Sequence, residues 1–284
     1  MIISIASGKG GTGKTTVATN LAASISSTSV HFLDCDVEEP NAHLFLNPVI
    51  DRTETITVPV PEIDENKCTL CGKCVDICQF KAIAIMADTI LSFNELCHSC
   101  GGCVRVCPEK AITETVREVG ILQSGKIKNI SFTNGLLRIG EAMSPPLISK
   151  VRSSSPEKGL TIIDAPPGTS CPVIASLKDT DFVILVTEPT PFGLNDLKLA
   201  VEAIKIMGIP CGIVLNRSDI GNSSVQEYAA KESILILMEI PFDRRIAESY
   251  SKGELIIKAI PELKRRFQRL YTDILTITGK RKMI

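Results

Sequence analysis

Eight of the eleven cysteines in this 284-residue chain lie between Cys68 and Cys107, in two copies of one spacing, C-x2-C-x2-C-x3-C. Cys68, Cys71, Cys74 and Cys78 map onto Cys97, Cys100, Cys103 and Cys107. The match extends from Gly72 to Gly101, from Val75 to Val104, and from Lys81-Ala82-Ile83 to Lys110-Ala111-Ile112. A repeat unit this short cannot bury enough apolar surface to stand alone, so something inorganic must tie it together. Tight C-x-x-C clusters in a reduced protein hold metal or carry out redox chemistry. Thiolates are soft ligands suited to iron. The spacing is that of two four-iron clusters, each held by three cysteines of one run and the last cysteine of the other. That assigns Cys68, Cys71, Cys74 and Cys107 to one [4Fe-4S] cluster, and Cys97, Cys100, Cys103 and Cys78 to the second. Two structural zinc sites are the rival, but a zinc ribbon pairs two C-x2-C units and leaves four cysteines unexplained. Pro108 follows Cys107, whereas Gln79 follows Cys78, a departure expected to alter the turn there. His98, beside a completed ligand set, is expected to be solvated or to sit next to the ligands.

The second motif is Gly8-Lys9-Gly10-Gly11-Thr12-Gly13-Lys14-Thr15, which satisfies G-x-x-x-x-G-K-[ST]. Its glycines let successive backbone N–H groups point at one anion, and the helix that follows presents its positive end there. Lys14 supplies charge at the β/γ-phosphates and Thr15 a hydroxyl for Mg2+. Gly8, Gly10 and Gly13 also fit G-x-G-x-x-G, with Asp34 or Asp36 about 20 residues on for a ribose. The Lys-Thr pair favours a nucleoside triphosphate with its metal. Leu160–Asp164 reads as a buried strand ending in an acid, where a carboxylate holds Mg2+, and Gly168 follows it within reach of a γ-phosphate. Asp36 is the candidate for orienting the attacking water; Asp34 is equally readable as structural.

Apolar Val/Ile/Leu runs at Ile2–Ala6, Val30–Asp34, Leu160–Ala165, Phe182–Thr187, Cys211–Asn216 and Ile234–Ile240 alternate with helical stretches. This predicts an α/β fold with a parallel sheet buried on both faces. The expected organisation is a nucleotide-binding domain in two parts, 1–58 and 114–284, interrupted by a cysteine module at 59–113. Pro59 and Pro61 mark its start. Ser124-Gly125 and Asn134-Gly135 suggest turns of a connecting antiparallel meander over 114–140. The apolar stripe in Glu262–Ile277 predicts a helix docked on the core rather than on a membrane.

The loop with its extra lysine, Lys9, resembles the deviant Walker A of the MinD/ParA/nitrogenase-iron-protein class. Leu33–Asn41 resembles the class's switch I, and Ile163–Gly168 its switch II. The resemblance implies a parallel-sheet P-loop ATPase that forms an ATP-dependent homodimer, Lys9 reaching phosphates across the interface. It implies adenine contacts at Asn216 and Pro241, with Arg217 departing from the lysine of the guanine-reading N-K-x-D pattern. The nucleotide set is then Gly8, Gly10, Gly11, Thr12, Gly13, Lys14, Thr15, Thr16, Asn41, Gly168, Asn216 and Pro241. Lys9, Lys14, Asp36 and Asp164 are catalytic, and Thr15 and Asp164 hold Mg2+. With the cysteine repeat, the whole chain resembles MinD-superfamily ATPases carrying an inserted bacterial-type α+β ferredoxin domain.

Composition narrows the function. Lys+Arg 31 against Asp+Glu 32 gives a net charge of −1, which recommends no nucleic-acid partner. No apolar run is long enough to span a membrane, the start reads as no signal peptide, and the reduced cysteines suggest the cytoplasm. The expected function is ATP hydrolysis coupled to electron transfer or metallocofactor assembly, with a redox or metallocofactor-binding protein as partner. A nucleotide-switched scaffold or cluster carrier is the alternative, and a dinucleotide-linked oxidoreductase the third reading. Of the remaining cysteines, Cys211 is expected to be a small buried hydrophobe and Cys171 to be structural.

Overall fold

A computed structural model describes residues 1–156 and 158–279. It divides into two units: the larger takes Met1–Thr53, Leu122–Leu136 and the chain from Ile148 onward, the smaller Glu54–Ile121 and Leu137–Leu147. The smaller contains the whole cysteine repeat and extends beyond residues 59–113.

The strands are β1 (Ile2–Ala6), β2 (Val30–Asp34), β3 (Val49–Ile63), β4 (Ile83–Met86), β5 (Thr89–Ser92), β6 (Ile112–Ile127), β7 (Ile130–Leu137), β8 (Leu160–Asp164), β9 (Phe182–Thr187), β10 (Cys211–Asn216) and β11 (Ile236–Ile240). The main sheet runs β11-β10-β9-β1-β8-β2-β7-β6-β3. Every neighbouring pair from β11 to β7 is parallel. Alternate side chains of these strands feed two cores. Ile3, Ile5, Ile184 and Val186 pack with Leu21 of the helix Lys14–Ser24 and with Phe267, Leu270 and Ile274 of the helix Pro261–Ile277. Ala6, Val183, Leu185, Ile213 and Leu215 pack with Leu197, Val201 and Ile204 of the helix Pro191–Met207. The last helix therefore docks its apolar stripe on the core. No helix among the described residues is long and apolar enough to cross a membrane.

Two expectations for the connection are corrected. Ser124-Gly125 lies inside β6 and Asn134-Gly135 inside β7. The turn falls at Lys128-Asn129, with Lys128 at φ 50°, so β6 and β7 run antiparallel. Gly125 is small because of close approach rather than turning: a Cβ there would lie 2.2 Å from the Val49 carbonyl oxygen. Pro59 and Pro61 sit within β3, at the sheet edge, where a missing N–H is tolerated.

In the smaller unit the 29-residue repeat is written into the backbone. Gly72 and Gly101 precede the short helices Lys73–Ile77 and Gly102–Val106 at φ 78° and 67°. Leu70 and Ser99 both lie at φ 55°, Lys81 and Lys110 at 55° and 51°. Cys74, Ile83, Ile90 and Ile112 form a small buried cluster among the cysteines, too little apolar burial to tie the cysteine repeat together on its own.

Candidate functional site

The ends of β1, β2, β8 and β10 converge on one cleft of about 990 Å3 in the larger unit. Its floor is the glycine loop: Gly10, Gly11, Gly13, Lys14, Thr15 and Thr16 line it. Gly13 is required twice over. Its φ is 97°, and a Cβ would fall 2.7 Å from Asn216 Nδ2. That amide instead donates to the Thr12 carbonyl at 2.9 Å, tying the loop to β10. Thr12 is buried, with its hydroxyl unpartnered. Asp36 and Asn41 line one wall, and Asn216, Arg217 and Pro241 another.

Gly8 stands elsewhere. It does not line the cleft; a Cβ there would lie 2.2 Å from the Asp196 carbonyl oxygen, so it serves the contact with the helix Pro191–Met207. Gly168 also lies off the lining, and its N–H donates to the Ser7 carbonyl at 3.0 Å rather than pointing free. Sequence reasoning missed Ser170, Pro172, Phe242, Ile246 and Tyr250 on the walls, since none belongs to a phosphate motif. It also missed Glu188, which pairs with Lys9 at 2.9 Å. The available signal was positional: Glu188 follows β9, which pairs with the β1 strand that carries the loop.

Three carboxylates meet at this end of the sheet. Asp34, fully buried, accepts N–H bonds from Asp36 and Ala42, both at 3.1 Å. It therefore shapes the 34–42 loop. Asp36 stands 3.9 Å from the Lys14 ammonium. Asp164 is fully buried with neither oxygen in a hydrogen bond of good geometry. Burial pushes all three carboxyls upward. Asp36 rises to about 6, with Lys14 opposing the rise and Glu39 and Glu38 adding to it. For Asp164, Lys14 and the nearby Thr15 hydroxyl temper the rise and Asp36 adds to it. An orphaned buried carboxylate beside a P-loop threonine is a place for a divalent cation.

A stability prediction follows from the sign of these shifts. Unfolded carboxylates titrate near about 4, and the folded ones titrate higher. Between these values the folded state holds more protons, so stability is lost as pH rises through about 6. Protein stripped of nucleotide and divalent metal is expected to melt higher at pH 5 than at pH 7.5. Asp164→Asn is expected to raise the pH 7.5 melting temperature by a few degrees and to forfeit most of the gain that Mg2+ with nucleotide gives the wild type. Thermal melts at both pH values check this; a variant that melts no higher than wild type contradicts it.

In the smaller unit, two separate small cavities divide the eight cysteines. Cys68, Cys71, Cys74 and Cys107 line one, and Cys78, Cys97, Cys100 and Cys103 the other. Sγ atoms accept backbone N–H groups: Cys78 from Ala82 at 3.3 Å, Cys107 from Ala111 at 3.2 Å, Cys97 from Ser99 at 3.4 Å. The donor set and these N–H···S contacts fit thiolate-bound clusters. Among the described residues no group of three or more Cys, His, Asp or Glu side chains is drawn together closely enough to hold a single metal ion. The turn after Cys78 is unaltered by Gln79: Cys78 and Cys107 have φ/ψ of −77°/99° and −73°/110°. His98 is exposed and stacked on Phe80, ring centroids 3.4 Å apart. Cys171, expected to be structural, is exposed at the start of the helix Cys171–Leu177, while Cys35 is fully buried and Cys211 partly so.

Residues 3–256 match the family model described as the CobQ/CobB/MinD/ParA nucleotide binding domain. The chain is 34% identical over 279 residues to an uncharacterized protein of Methanocaldococcus jannaschii, covering 96% of each. It is 29% identical over 274 residues to an iron-sulfur cluster carrier protein of Pyrococcus horikoshii, covering 90% of this chain and 78% of that one. Among solved structures, the septum site-determining protein MinD of Pyrococcus horikoshii, complexed with Mg-ADP, superposes with a TM-score of 0.62 at 22% identity. The match covers 100% of this chain and 99% of that one.

Proposed function

The chain belongs to the CobQ/CobB/MinD/ParA nucleotide-binding family, and on that premise we propose that it is a cytoplasmic ATPase whose nucleotide state governs a two-cluster iron–sulfur module used for electron transfer or metallocofactor assembly. The observation that carries this reading is the division of eight cysteines into two quartets around separate cavities. Each quartet would supply four ligands from this one chain, as a resident redox centre needs. The inserted module is then a ferredoxin-like domain built on residues 59–113, and when bound its clusters would take up and release single electrons.

In the cleft, backbone N–H groups of Gly10, Gly11 and Gly13 and the Lys14 ammonium would hold the phosphates of ATP. Thr15 and Asp164 would hold Mg2+, which when bound neutralises phosphate charge. Asp36, which lines the cleft, would orient water, and Asn41, Asn216 and Pro241 would bound the nucleoside. Lys9 would act on the phosphates of a second copy, making the homodimer ATP-dependent. The further partner is a redox or metallocofactor-binding protein.

Connectivity supports the coupling. The chain leaves the larger unit after Thr53, downstream of Asp36 and Asn41. Its final return, at Ile148, precedes Asp164 and Gly168. Movement of either loop with the γ-phosphate has a covalent route to the cysteine module. A non-hydrolysable ATP analogue, compared with ADP, is therefore expected to shift a cluster potential by some tens of millivolts, on the scale of about 59 mV for a tenfold one-electron change, or to change the rate of electron transfer to the partner. Anaerobic redox titrations and transfer kinetics in both nucleotide states test this. Unchanged potentials together with unchanged rates overturn the coupling.

A second reading, a cluster carrier without net redox catalysis, is favoured by the name of the Pyrococcus horikoshii relative. Nucleotide-dependent movement of iron to an apo-acceptor, with no electron transfer, would select it.

A further inference from the structure

The mostly buried carboxylate of Glu188 holds two cations from different parts of the larger unit. Its Oε1 lies 2.9 Å from the Lys9 ammonium and its Oε2 accepts from Arg217 Nη1 at 2.9 Å. Glu188 is 12% exposed at its side chain, Lys9 31% and Arg217 50%. The acid is held from a fixed turn: its carbonyl accepts from Thr190 N–H at 2.8 Å, and the Thr187 and Thr190 hydroxyls bond Gly193 on either side. Lys9 is tethered as well, its carbonyl accepting from the Ser7 hydroxyl at 2.6 Å. The lysine that distinguishes this glycine loop is thus already neutralised within its own chain. A phosphate group that is to use its charge must compete with Glu188 for it.

We propose that Glu188 is a positioning residue that detains Lys9 in its own subunit and sets how readily nucleotide-bound copies of the chain associate. The proposal rests on the reading above, in which Lys9 serves the phosphates of a second copy. Arg217, at the cleft wall beside Asn216, shares the carboxylate and so weakens its grip on Lys9. Breaking a partly exposed ion pair of this kind is worth up to about 1 kcal/mol, or roughly fivefold in an equilibrium.

Sedimentation velocity of the full chain across a concentration series, with Mg2+ and a saturating non-hydrolysable ATP analogue, tests it. Because each of the two copies gives up one such pair, Glu188→Gln is expected to lower the concentration for half-association by up to about 25-fold, a gain that damage to the fold would not produce. Lys9→Ala is expected to weaken association, and Lys9→Ala with Glu188→Gln to show no gain over Lys9→Ala alone. Arg217→Gln leaves Glu188 only Lys9, so it is expected to shift association the opposite way; at a half-exposed side chain it also serves should Glu188→Gln fold poorly. If the wild type associates but Glu188→Gln does not strengthen it, or the gain survives in the Lys9→Ala background, the detaining role is wrong. If wild type and Glu188→Gln both remain monomeric with saturating analogue, the reading of Lys9 as acting on a second copy is itself wrong.

Discussion

Lys14→Ala is expected to reduce phosphate release by at least about 10²–10³-fold, the typical loss when one preorganised charge or donor is removed from a transition state. The iron content is expected to stay at the wild-type value. The size of the effect follows from burial. The Lys14 side chain is 6% exposed at the base of the cleft, so its charge acts with little water around it. It is also the cation that opposes the upward shifts of Asp36 and Asp164. Without it both carboxyls move higher still, and the nucleotide-free variant is expected to lose stability above about pH 6, in the same direction as the wild type but further. Anaerobic phosphate-release assays and iron determination on one preparation check both halves. Wild-type turnover in the variant would remove the glycine loop from the mechanism, and loss of iron would show that the two sites are not chemically separate.

Cys107→Ala is expected to cost about half of the bound iron, four of eight atoms on the two-cluster reading, and to cost it from the cavity of Cys68, Cys71 and Cys74. The quartet of Cys78, Cys97, Cys100 and Cys103 keeps all four thiols, although Cys107 stands in the same run as three of them. This is the opposite of what sequence proximity suggests, which makes the variant informative. Electron paramagnetic resonance of the reduced protein counts the remaining spins, and Cys78→Ala gives the reciprocal experiment. Selective loss of the cluster at Cys97, Cys100 and Cys103 from Cys107→Ala would overturn the crossed assignment.

The parallel sheet was legible because its strands are buried on both faces and each stops at a polar residue or proline. Period and punctuation then say the same thing. The phosphate loop was legible because Gly13 has to adopt a conformation and a clearance that other residues cannot meet. The connection was read less well. Gly125 and Gly135 look like turn residues in a window of ten, yet Gly125 answers to Val49, which lies far away in sequence. Pro59 and Pro61 likewise look like a linker until β3 is seen at a sheet edge. Gly8 fits the motif, but its neighbour is Asp196. Glu188 belonged to no phosphate or metal motif, and its meeting with Lys9 depends on β9 pairing beside β1. In each case the deciding neighbour is distant in sequence and local patterning is silent about it.

The crossing of the cysteine quartets bears on how the protein is made. The cavity that begins with Cys68 is closed by Cys107, and the cavity that Cys78 completes takes its other three thiols from Cys97, Cys100 and Cys103. If each cavity holds a cluster, the first run would emerge from the ribosome as three thiols lacking a fourth, with one thiol committed to a site that does not yet exist. Neither site can be finished until the second run has emerged, and Cys107, the last to appear, belongs to the first. On the two-cluster reading, metal delivered early would meet only incomplete sites, loading would belong after release of the whole segment, and a chain truncated between Cys78 and Cys97 would forfeit both sites at once.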